Sequence, residues 1–430
     1  MSKFQLALTA VFVICIIGGV VAFATYKSSS TDNALPPISI WGSFPAITFN
    51  DYIQKLNLTL ATPIAIQYTE ISQSNFRQNF IEALANGGGP DAILIRQDDI
   101  TGFMDKILVI PNTVITQRDF QDTYVPQADL YLTSNGTLAI PFIVDPMVMY
   151  WNKTMFTNAG IAKYPQYWDE FTDISKKINQ KDANSNIRRS ALALGEFANI
   201  DNAREILSAL FLQAGNPVTY YSNGVLRSAI GDGDYYGTRS STPAVSFFVQ
   251  FANPRSTAYS WNRSLPSSKN SFLSGTLATY FGFTSEIRDL RAKNPNIDFD
   301  IAKLPQTKKG SIRATFGNMY GLSMVRSTTN ANNTFSVLSI ITQPGASSIL
   351  SNLSYLPSAR RDIIAAGSVD PYMSIFLDSA LISKGWLDTN SNRSNQIFTR
   401  LVESITSGRL DTNSALKQAS DELNVSLQTK

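Results

Sequence analysis

The sequence predicts an α/β protein of two lobes, preceded by a helix that spans a membrane. Three observations support this. The chain has 430 residues, 43% of them hydrophobic and 16% charged, which is too long for one comfortable core and ample for two. Short apolar runs alternate with segments of helical periodicity. A run without charged residues occupies the N-terminus, from 4 to 24.

The N-terminal run is long enough to cross a bilayer, because about 20 apolar residues span the hydrocarbon core as a helix. Three interpretations are open: a retained signal anchor over 1–25, a signal peptide cleaved after Ala24, and lipidation at Cys15. The anchor is favoured, since Cys15 lies in mid-run without the small residues of a lipidation signal. The polar residues 26–36 are predicted to form a flexible tether.

Composition excludes several classes of function. The chain has no histidine and one cysteine, which rules out Ser-His-Asp triads, Cys-His pairs, zinc sites built on those ligands and a disulfide within the chain. Its 36 basic and 33 acidic residues form no long run of one sign, so no nucleic-acid partner is expected. The turn 182–186 lacks the glycine and glutamate of a calcium loop. We therefore expect no cofactor and no metal ion.

The pattern of a mostly parallel sheet begins after the tether. Strands and helices are predicted in alternation, at 38–43, 50–60, 64–68, 75–85 and 91–95. Residues 86–90, Asn-Gly-Gly-Gly-Pro, are predicted to end the second helix. Later extended segments are predicted at 142–144 and 147–151, a helix tip leading into a strand at 272–282, and strands at 299–304 and 320–325. The C-terminal part is predicted to be mainly helical.

A set of short motifs follows in a recognisable order. Pro141-Phe142 precedes an apolar strand that ends in Tyr150-Trp151-Asn152-Lys153, followed by Ala159-Gly160 and by Pro-Gln-Tyr-Trp-Asp-Glu at 165–170. Weaker motifs lie at 89–91, 272–278, 301–305, 317–322 and 355–357. Together they resemble the extracellular solute-binding proteins of ABC transporters, the family that includes the maltose-binding protein. The resemblance covers about 37–425.

The resemblance implies a periplasmic-binding-protein-like fold, in which two α/β lobes joined by a hinge close on a ligand in the cleft between them. It places the first lobe at 37–143 and 301–345, and the second at 144–300 and 346–430. It also implies a small polar ligand, expected to be a carbohydrate, an ABC permease as partner and no enzymatic activity. The chain is expected to be a monomer with its globular part outside the cytoplasm.

Eight residues are predicted ligand contacts. Trp41 follows the first strand, at the sheet edge where open α/β sheets bind ligands, and the same edge rule selects Glu196 and Phe197. The resemblance selects the positions of a cleft carboxylate and of cleft aromatic residues, which are Asp145, Phe283, Thr284, Tyr320 and Tyr355. A sugar site needs polar partners for hydroxyls and aromatic plates for ring faces.

Each of these residues also has an ordinary structural interpretation, as a core aromatic or a turn carboxylate. Trp41 and Asp145 are expected to face each other across the cleft, whereas Asp98 and Asp99 are expected to face solvent at the start of a helix. Two other functions stay open: a tethered sensor without a permease, and an enzyme that cleaves glycans with paired carboxylates.

The anchor can be tested by fractionation. A truncated chain that begins at Pro36 should be a soluble monomer, whereas the full chain should sediment with membranes, because residues 4–24 carry no charge. Membrane fractionation and gel filtration measure both properties. Full-length protein that retains Met1 in the soluble fraction would contradict the predicted anchor.

Overall fold

The structure is a computed structural model of the chain and describes residues 35–231, 241–310 and 312–428. The predicted anchor, 1–25, lies outside the described residues. Within those residues, no helix combines the length and the apolar character that crossing a membrane requires.

Within the described ranges, the strands are short except for the seventh and the fourteenth. They are β1 (Ile38–Gly42), β2 (Ile66–Glu70), β3 (Ala92–Arg96), β4 (Ile110–Pro111), β5 (Leu132–Thr133), β6 (Gly136–Thr137), β7 (Ile140–Asn152), β8 (Gln180–Lys181), β9 (Ile187–Leu192), β10 (Thr219–Ser222), β11 (Val225–Ser228), β12 (Leu277–Phe283), β13 (Phe299–Lys303), β14 (Thr315–Met324) and β15 (Ser383–Lys384).

The α-helices of the described ranges lie between and after these strands. They are α1 (Ala46–Asn57), α2 (Gln73–Ala85), α3 (Gln117–Thr123), α4 (Lys153–Asn158), α5 (Phe171–Ile178), α6 (Ala203–Gln213), α7 (Thr242–Val249), α8 (Ser268–Leu273), α9 (Ile287–Lys293), α10 (Ala331–Ile341), α11 (Pro344–Ser354), α12 (Arg361–Ala365), α13 (Pro371–Leu381), α14 (Ser391–Thr406) and α15 (Thr412–Gln428).

One ten-stranded sheet runs through the molecule in the order β2-β1-β3-β14-β7-β12-β9-β8, with β13 added to β7 and β15 added to β14. Strand β7 carries both ends of this sheet. Its first part pairs with β14, from Ile140 to Pro146, and its second part pairs with β12 and β13, from Met147 to Asn152. We call β1, β2, β3 and β14 the first half of the sheet, and β8, β9, β12 and β13 the second half.

Helices cover both halves. In the first half, α1 packs on α11, and α10 packs on β1 and β14. In the second half, α5 packs on β9, α8 packs on β12, and α13 packs on β7 and β13. Strand β3 is buried on both faces, as its unbroken apolar run predicts. The α/β class predicted from the sequence is therefore confirmed.

Several predicted elements agree closely with the structure. Helix α2 ends at Ala85 in front of Gly87, whose φ of 72° lies in the left-handed region that favours glycine. The strand predicted at 64–68 lies at Ile66–Glu70 instead. The predicted lobe limits stay a prediction; the limit between 300 and 301 falls within β13.

Gly317 lies on β14 beside Pro146, at a point where the chain leaves no room for a side chain. A Cβ there would come within 1.9 Å of Ser383 Oγ and 2.9 Å of Gln127 Oε1. The Ser383 hydroxyl donates a hydrogen bond to that same Gln127 oxygen. An added methyl group would therefore displace a buried hydrogen bond.

We expect Gly317→Ala to lower the free energy of unfolding by about 2 kcal/mol, through overpacking and the lost hydrogen bond. Gly345→Ala, near the start of α11 with no atom within 4 Å of the new Cβ, is the matched control and should be neutral or stabilising. Urea unfolding followed by circular dichroism measures both. Equal stability of the two variants would contradict the close approach at Gly317.

Candidate functional site

A cavity of about 430 Å³ opens between the two halves of the sheet. Its walls come from the start of α2, the loop after β3, the start of α6 and the start of α14. Every described side chain that lines it is polar or charged: Gln73, Ser74, Arg77, Arg96, Asp99, Arg204, Glu205, Thr389, Asn390, Ser391, Asn392 and Asn395. We call it the inter-half pocket.

The strand directions explain why these residues meet. Strands β1, β2 and β3 are parallel, so their carboxyl ends share one edge of the first half. The start of α2 follows β2, and Asp99 follows β3, both at this edge. Strands β9 and β12 are also parallel, and α6 follows β9 in the second half. Ligands of open α/β sheets bind at such carboxyl edges.

A buried network of charges supports the pocket. Arg96 Nη2 lies 2.8 Å from Asp98 Oδ2, and Arg204 Nη2 lies 3.5 Å from the same oxygen. Arg204 also contacts Glu205 Oε1 at 2.8 Å and Asp388 Oδ2 at 3.7 Å. Asp98 and Asp388 are 4% and 0% exposed, so both carboxylates depend on these cations for their charge.

The neighbouring carboxyl groups of Asp98 and Asp99 have opposite pKa shifts. Burial acts to raise the pKa of Asp98, but Arg96 and Arg204 hold that pKa below its usual value. Burial, together with the charge of Asp98, raises the pKa of Asp99 to about 7. Gln73 donates a hydrogen bond to Asp99 Oδ2. The pair thus combines a carboxylate with a carboxyl group that titrates near neutral pH.

Three buried atoms of this network have no hydrogen-bond partner among the described residues. They are Arg96 Nε, Asp98 Oδ1 and Asp388 Oδ2. Buried polar atoms are normally hydrogen-bonded, so an unpaired donor beside unpaired acceptors is unusual. The network is therefore incomplete among the described residues, and each of these atoms could take one more hydrogen bond.

The structure brings two of the predicted ligand contacts together at the middle of β7. Asp145 is buried and accepts hydrogen bonds from Thr284 Oγ1 at 2.8 Å, from the Ser285 backbone N–H at 2.9 Å and from Ser285 Oγ at 2.6 Å. Burial raises the pKa of Asp145 to about 6. Its carboxylate joins β7 to the turn after β12.

Trp41 lies elsewhere. It is half-buried on β1 and packs against the core. Strands β3 and β14 separate β1 from β7, and Trp41 pairs with Ile93 while Asp145 pairs with Asn318. The structure therefore does not place Trp41 and Asp145 face to face, although the role of each as a ligand contact stays a prediction.

The other predicted contacts are distributed over both halves. Glu196 forms an ion pair with Arg263 at 3.1 Å in the second half. Phe197 and Phe283 are buried in the core. Tyr355 donates a hydrogen bond of 2.6 Å to Asp370.

Tyr320 pairs across strands with Arg96, which lines the inter-half pocket, and the Tyr320 ring lies edge-on to Phe44 with 6.1 Å between the ring centroids. Burial raises the pKa of Tyr320 to about 12. The described lining of the inter-half pocket includes none of the eight predicted residues.

The sequence interpretation missed the residues that line the pocket. Asp98 and Asp99 were expected to face solvent. Asp98 is instead 4% exposed and paired with arginines behind the pocket, and Asp99, which lines the pocket, is partly buried. The edge rule that selected Trp41, near the end of β1, applies equally to residues 97–99 after β3, so the sequence did indicate this wall of the pocket. Nothing in the local sequence of α14 indicated the pocket, because only packing brings this helix to the edge of the first half.

Comparisons with known proteins agree with this architecture. The sequence pattern of the bacterial extracellular solute-binding protein family matches residues 46–346, which confirms the resemblance found in the sequence. No curated protein sequence matches the chain.

Among solved structures, a cyclo/maltodextrin-binding protein in complex with maltotetraose has a TM-score of 0.72 at 14% identity, covering 91% of this chain and 97% of its own. The cyclic alpha-maltosyl-1,6-maltose binding protein from Arthrobacter globiformis has a TM-score of 0.73 at 15% identity, covering 91% and 99%. The GacH receptor of Streptomyces glaucescens, solved unliganded and with acarbose, has a TM-score of 0.66 at 15% identity, covering 91% and 98%. At identities this low, the TM-scores show that these proteins share the fold of this chain.

The raised pKa values make stability depend on pH. A folded carboxyl group with a raised pKa keeps its proton up to that pKa, whereas the unfolded chain loses it near pH 4, so stability should fall as pH rises through this window. The titration of Asp145 contributes to this fall in stability up to about pH 6, and that of Asp99 up to about pH 7. Asp99→Asn should therefore remove the part of the decline between about pH 6 and 7.

Thermal unfolding measured at closely spaced pH values from 4 to 8 checks this. The parent should lose melting temperature up to about pH 7, whereas Asp99→Asn should level off near pH 6, with a higher melting temperature than the parent at pH 7.5. Parallel curves for the two proteins would show that Asp99 does not titrate in this range.

Proposed function

We propose that this chain, which belongs to the bacterial extracellular solute-binding protein family, binds a carbohydrate in the inter-half pocket and closes its two halves around it. The lining of the pocket is the observation that carries the proposal. Its described side chains are all polar or charged and offer amide, hydroxyl, guanidinium and carboxylate groups. A ligand covered with hydroxyl groups matches this lining, because each hydroxyl both donates and accepts.

The charges favour a neutral ligand. Arg77, Arg96 and Arg204 line the pocket together with the carboxyl groups of Asp99 and Glu205, and two further carboxylates lie behind them. Cations and anions are therefore close to balance, and a strongly charged ligand would meet groups of its own sign. Charged groups also make stronger hydrogen bonds to hydroxyl groups than neutral groups do.

The similar solved structures support the same ligand class, since those proteins hold maltotetraose and acarbose. We extend the proposal to delivery of the carbohydrate to an ABC permease. We also propose that the segment 1–25 anchors the chain to the membrane with its globular part outside the cytoplasm. Both extensions rest on family membership and on the uncharged N-terminal run.

Closure would bend the molecule at the strand that both halves share. Strand β7 and the connection between β13 and β14 are two of the segments that join the two halves of the sheet. The eight contacts predicted from the sequence stay proposed ligand contacts. Tyr320 is the best supported of them, because its strand position beside Arg96 brings it close to the pocket.

A thermal-shift screen of neutral mono- and oligosaccharides tests the function. A ligand that binds only the folded chain raises its melting temperature, so at least one carbohydrate should do so. If no carbohydrate raises the melting temperature while an amino acid or a peptide does, the carbohydrate proposal is overturned.

The site itself is tested by calorimetry with the carbohydrate that the screen selects. Asn395→Ala removes an exposed amide from the wall formed by α14 and should weaken binding at least about tenfold, equal to 1.4 kcal/mol. Asn332→Ala, an equally exposed amide near the start of α10 and outside the pocket, is the matched control and should leave affinity unchanged. Equal affinities of the two variants would show that the ligand binds outside this pocket.

A further inference from the structure

We propose that Arg204 is a positioning residue that holds two walls of the inter-half pocket together, so that the closed form of the pocket depends on it. The proposal rests on the function proposed above and adds to it the residue that couples the walls. The charge of Arg204 is balanced within the protein. Its side chain is 8% exposed and lies near the carboxylates of Asp98 and Asp388, which belong to other segments of the chain.

Arg204 reaches residues of three separate segments. Its Nη2 lies 3.5 Å from Asp98 Oδ2 in the loop after β3, and its Nη1 lies 3.7 Å from Asp388 Oδ2 ahead of α14. Its Nε donates to Glu205 Oε1 at 2.9 Å, and its Nη1 donates to the Ser391 carbonyl at 3.4 Å. A guanidinium group has five N–H donors in one plane, so it can bind several acceptors at fixed angles where lysine cannot.

The guanidinium group is also held in place from behind. It lies 5.6 Å from the ring of Trp386, in a cation–π contact. The indole N–H of Trp386 donates in turn to Ser208 Oγ at 3.1 Å, one turn farther along α6. The cation therefore keeps one orientation toward Asp98 and Asp388, and it does not need a ligand to do so.

One of the two walls is formed by the start of α2 and the loop after β3, and the other by the starts of α6 and α14. Asp98 follows β3 in the first half, whereas α6 follows β9 in the second half, and Asp388 lies between β15 and α14. Further hydrogen bonds join the same walls: Ser391 Oγ donates to Asp98 Oδ2 at 3.2 Å, and Arg77 Nη1 donates to the Thr389 carbonyl at 3.0 Å. Arg204 adds to these contacts the cation that pairs with carboxylates of both walls.

Removing this cation leaves two buried carboxylates facing each other across the seam. Asp98 would keep Arg96 and the Ser391 hydroxyl, whereas the inaccessible Asp388 would keep only the Asn390 backbone N–H and the Ser394 hydroxyl and would need water to stay charged. The least demanding rearrangement is separation of the walls, which admits water to both groups. Loss of Arg204 should therefore open the pocket and speed ligand departure more than it slows ligand arrival.

The distance between the walls can be measured without a ligand. In the full chain carrying Cys15→Ser, nitroxide labels are placed at Asn79→Cys on α2 and Gln396→Cys on α14, both exposed positions. Pulsed electron paramagnetic resonance then gives the distribution of distances. The parent should show one narrow peak, and Arg204→Met should move it to longer, broader distances. Superimposable distributions for the two proteins would overturn the proposal.

Three further variants keep the test informative. Asp98→Asn should lengthen the distance as Arg204→Met does, and combining the two should add little, because both remove the same ion pair. Arg204→Lys keeps the charge without the planar fork and should be intermediate. If Arg204→Met does not fold, these milder variants decide the outcome. Arg188→Met, which removes an exposed ion pair with Asp182 inside the second half, is the matched control and should leave the distance unchanged.

A second readout uses whichever carbohydrate the screen selects. Arg204→Met should raise its dissociation rate at least about tenfold while changing the association rate by less than about threefold. A merely structural defect would lower the melting temperature without this asymmetry between the rates. If no carbohydrate binds the parent, the proposed function fails, whereas the label distances still confirm or overturn the role of Arg204.

Discussion

The length of β7 is the constraint on which the rest of the structure depends. This strand of 13 residues is buried along all but one position, and at about 3.3 Å per residue it reaches across both halves of the sheet. Strand β14 occupies its first part, while β12 and β13 flank its second part. The change of partners occurs at Pro146, which has no N–H to donate to a neighbouring strand. The two halves are therefore connected through a residue that donates no hydrogen bond to the ladder.

The residue before this point fastens the second half to the shared strand. Asp145 accepts hydrogen bonds from the side chains of Thr284 and Ser285 and from the Ser285 backbone. The turn after β12 thus moves with β7 instead of sliding along it. Beside the inter-half pocket, Arg204 and Asp98 form a second group of buried charges. One carboxylate stabilises the strand within the second half, and the other stabilises the contact between the halves.

The inter-half pocket combines these two constraints. Its walls are carried by elements that a bend at Pro146 would move apart, and they are held by ion pairs that are largely removed from water. Electrostatic contacts of this kind strengthen as water is excluded, so the closure on a polar ligand that we propose would strengthen the network. Atoms of Asp98 and Arg96 lack hydrogen-bond partners, so the network is incomplete within the part of the chain that the structure describes.

The sequence by itself determined the alternation of strands and helices, the end of α2 before Gly87 and the family, because burial periodicity, turn chemistry and motif order are local properties of the chain. It also ruled out histidine and thiolate chemistry through composition. Only the tertiary structure decided which polar residues meet. Asp98, Arg204 and Asp388 are more than a hundred residues apart, and nothing in their local sequence indicates a partner. Likewise, Trp41 and Asp145 each follow a sound edge or motif argument, but two strands separate them, because strand order is set by packing over the whole chain.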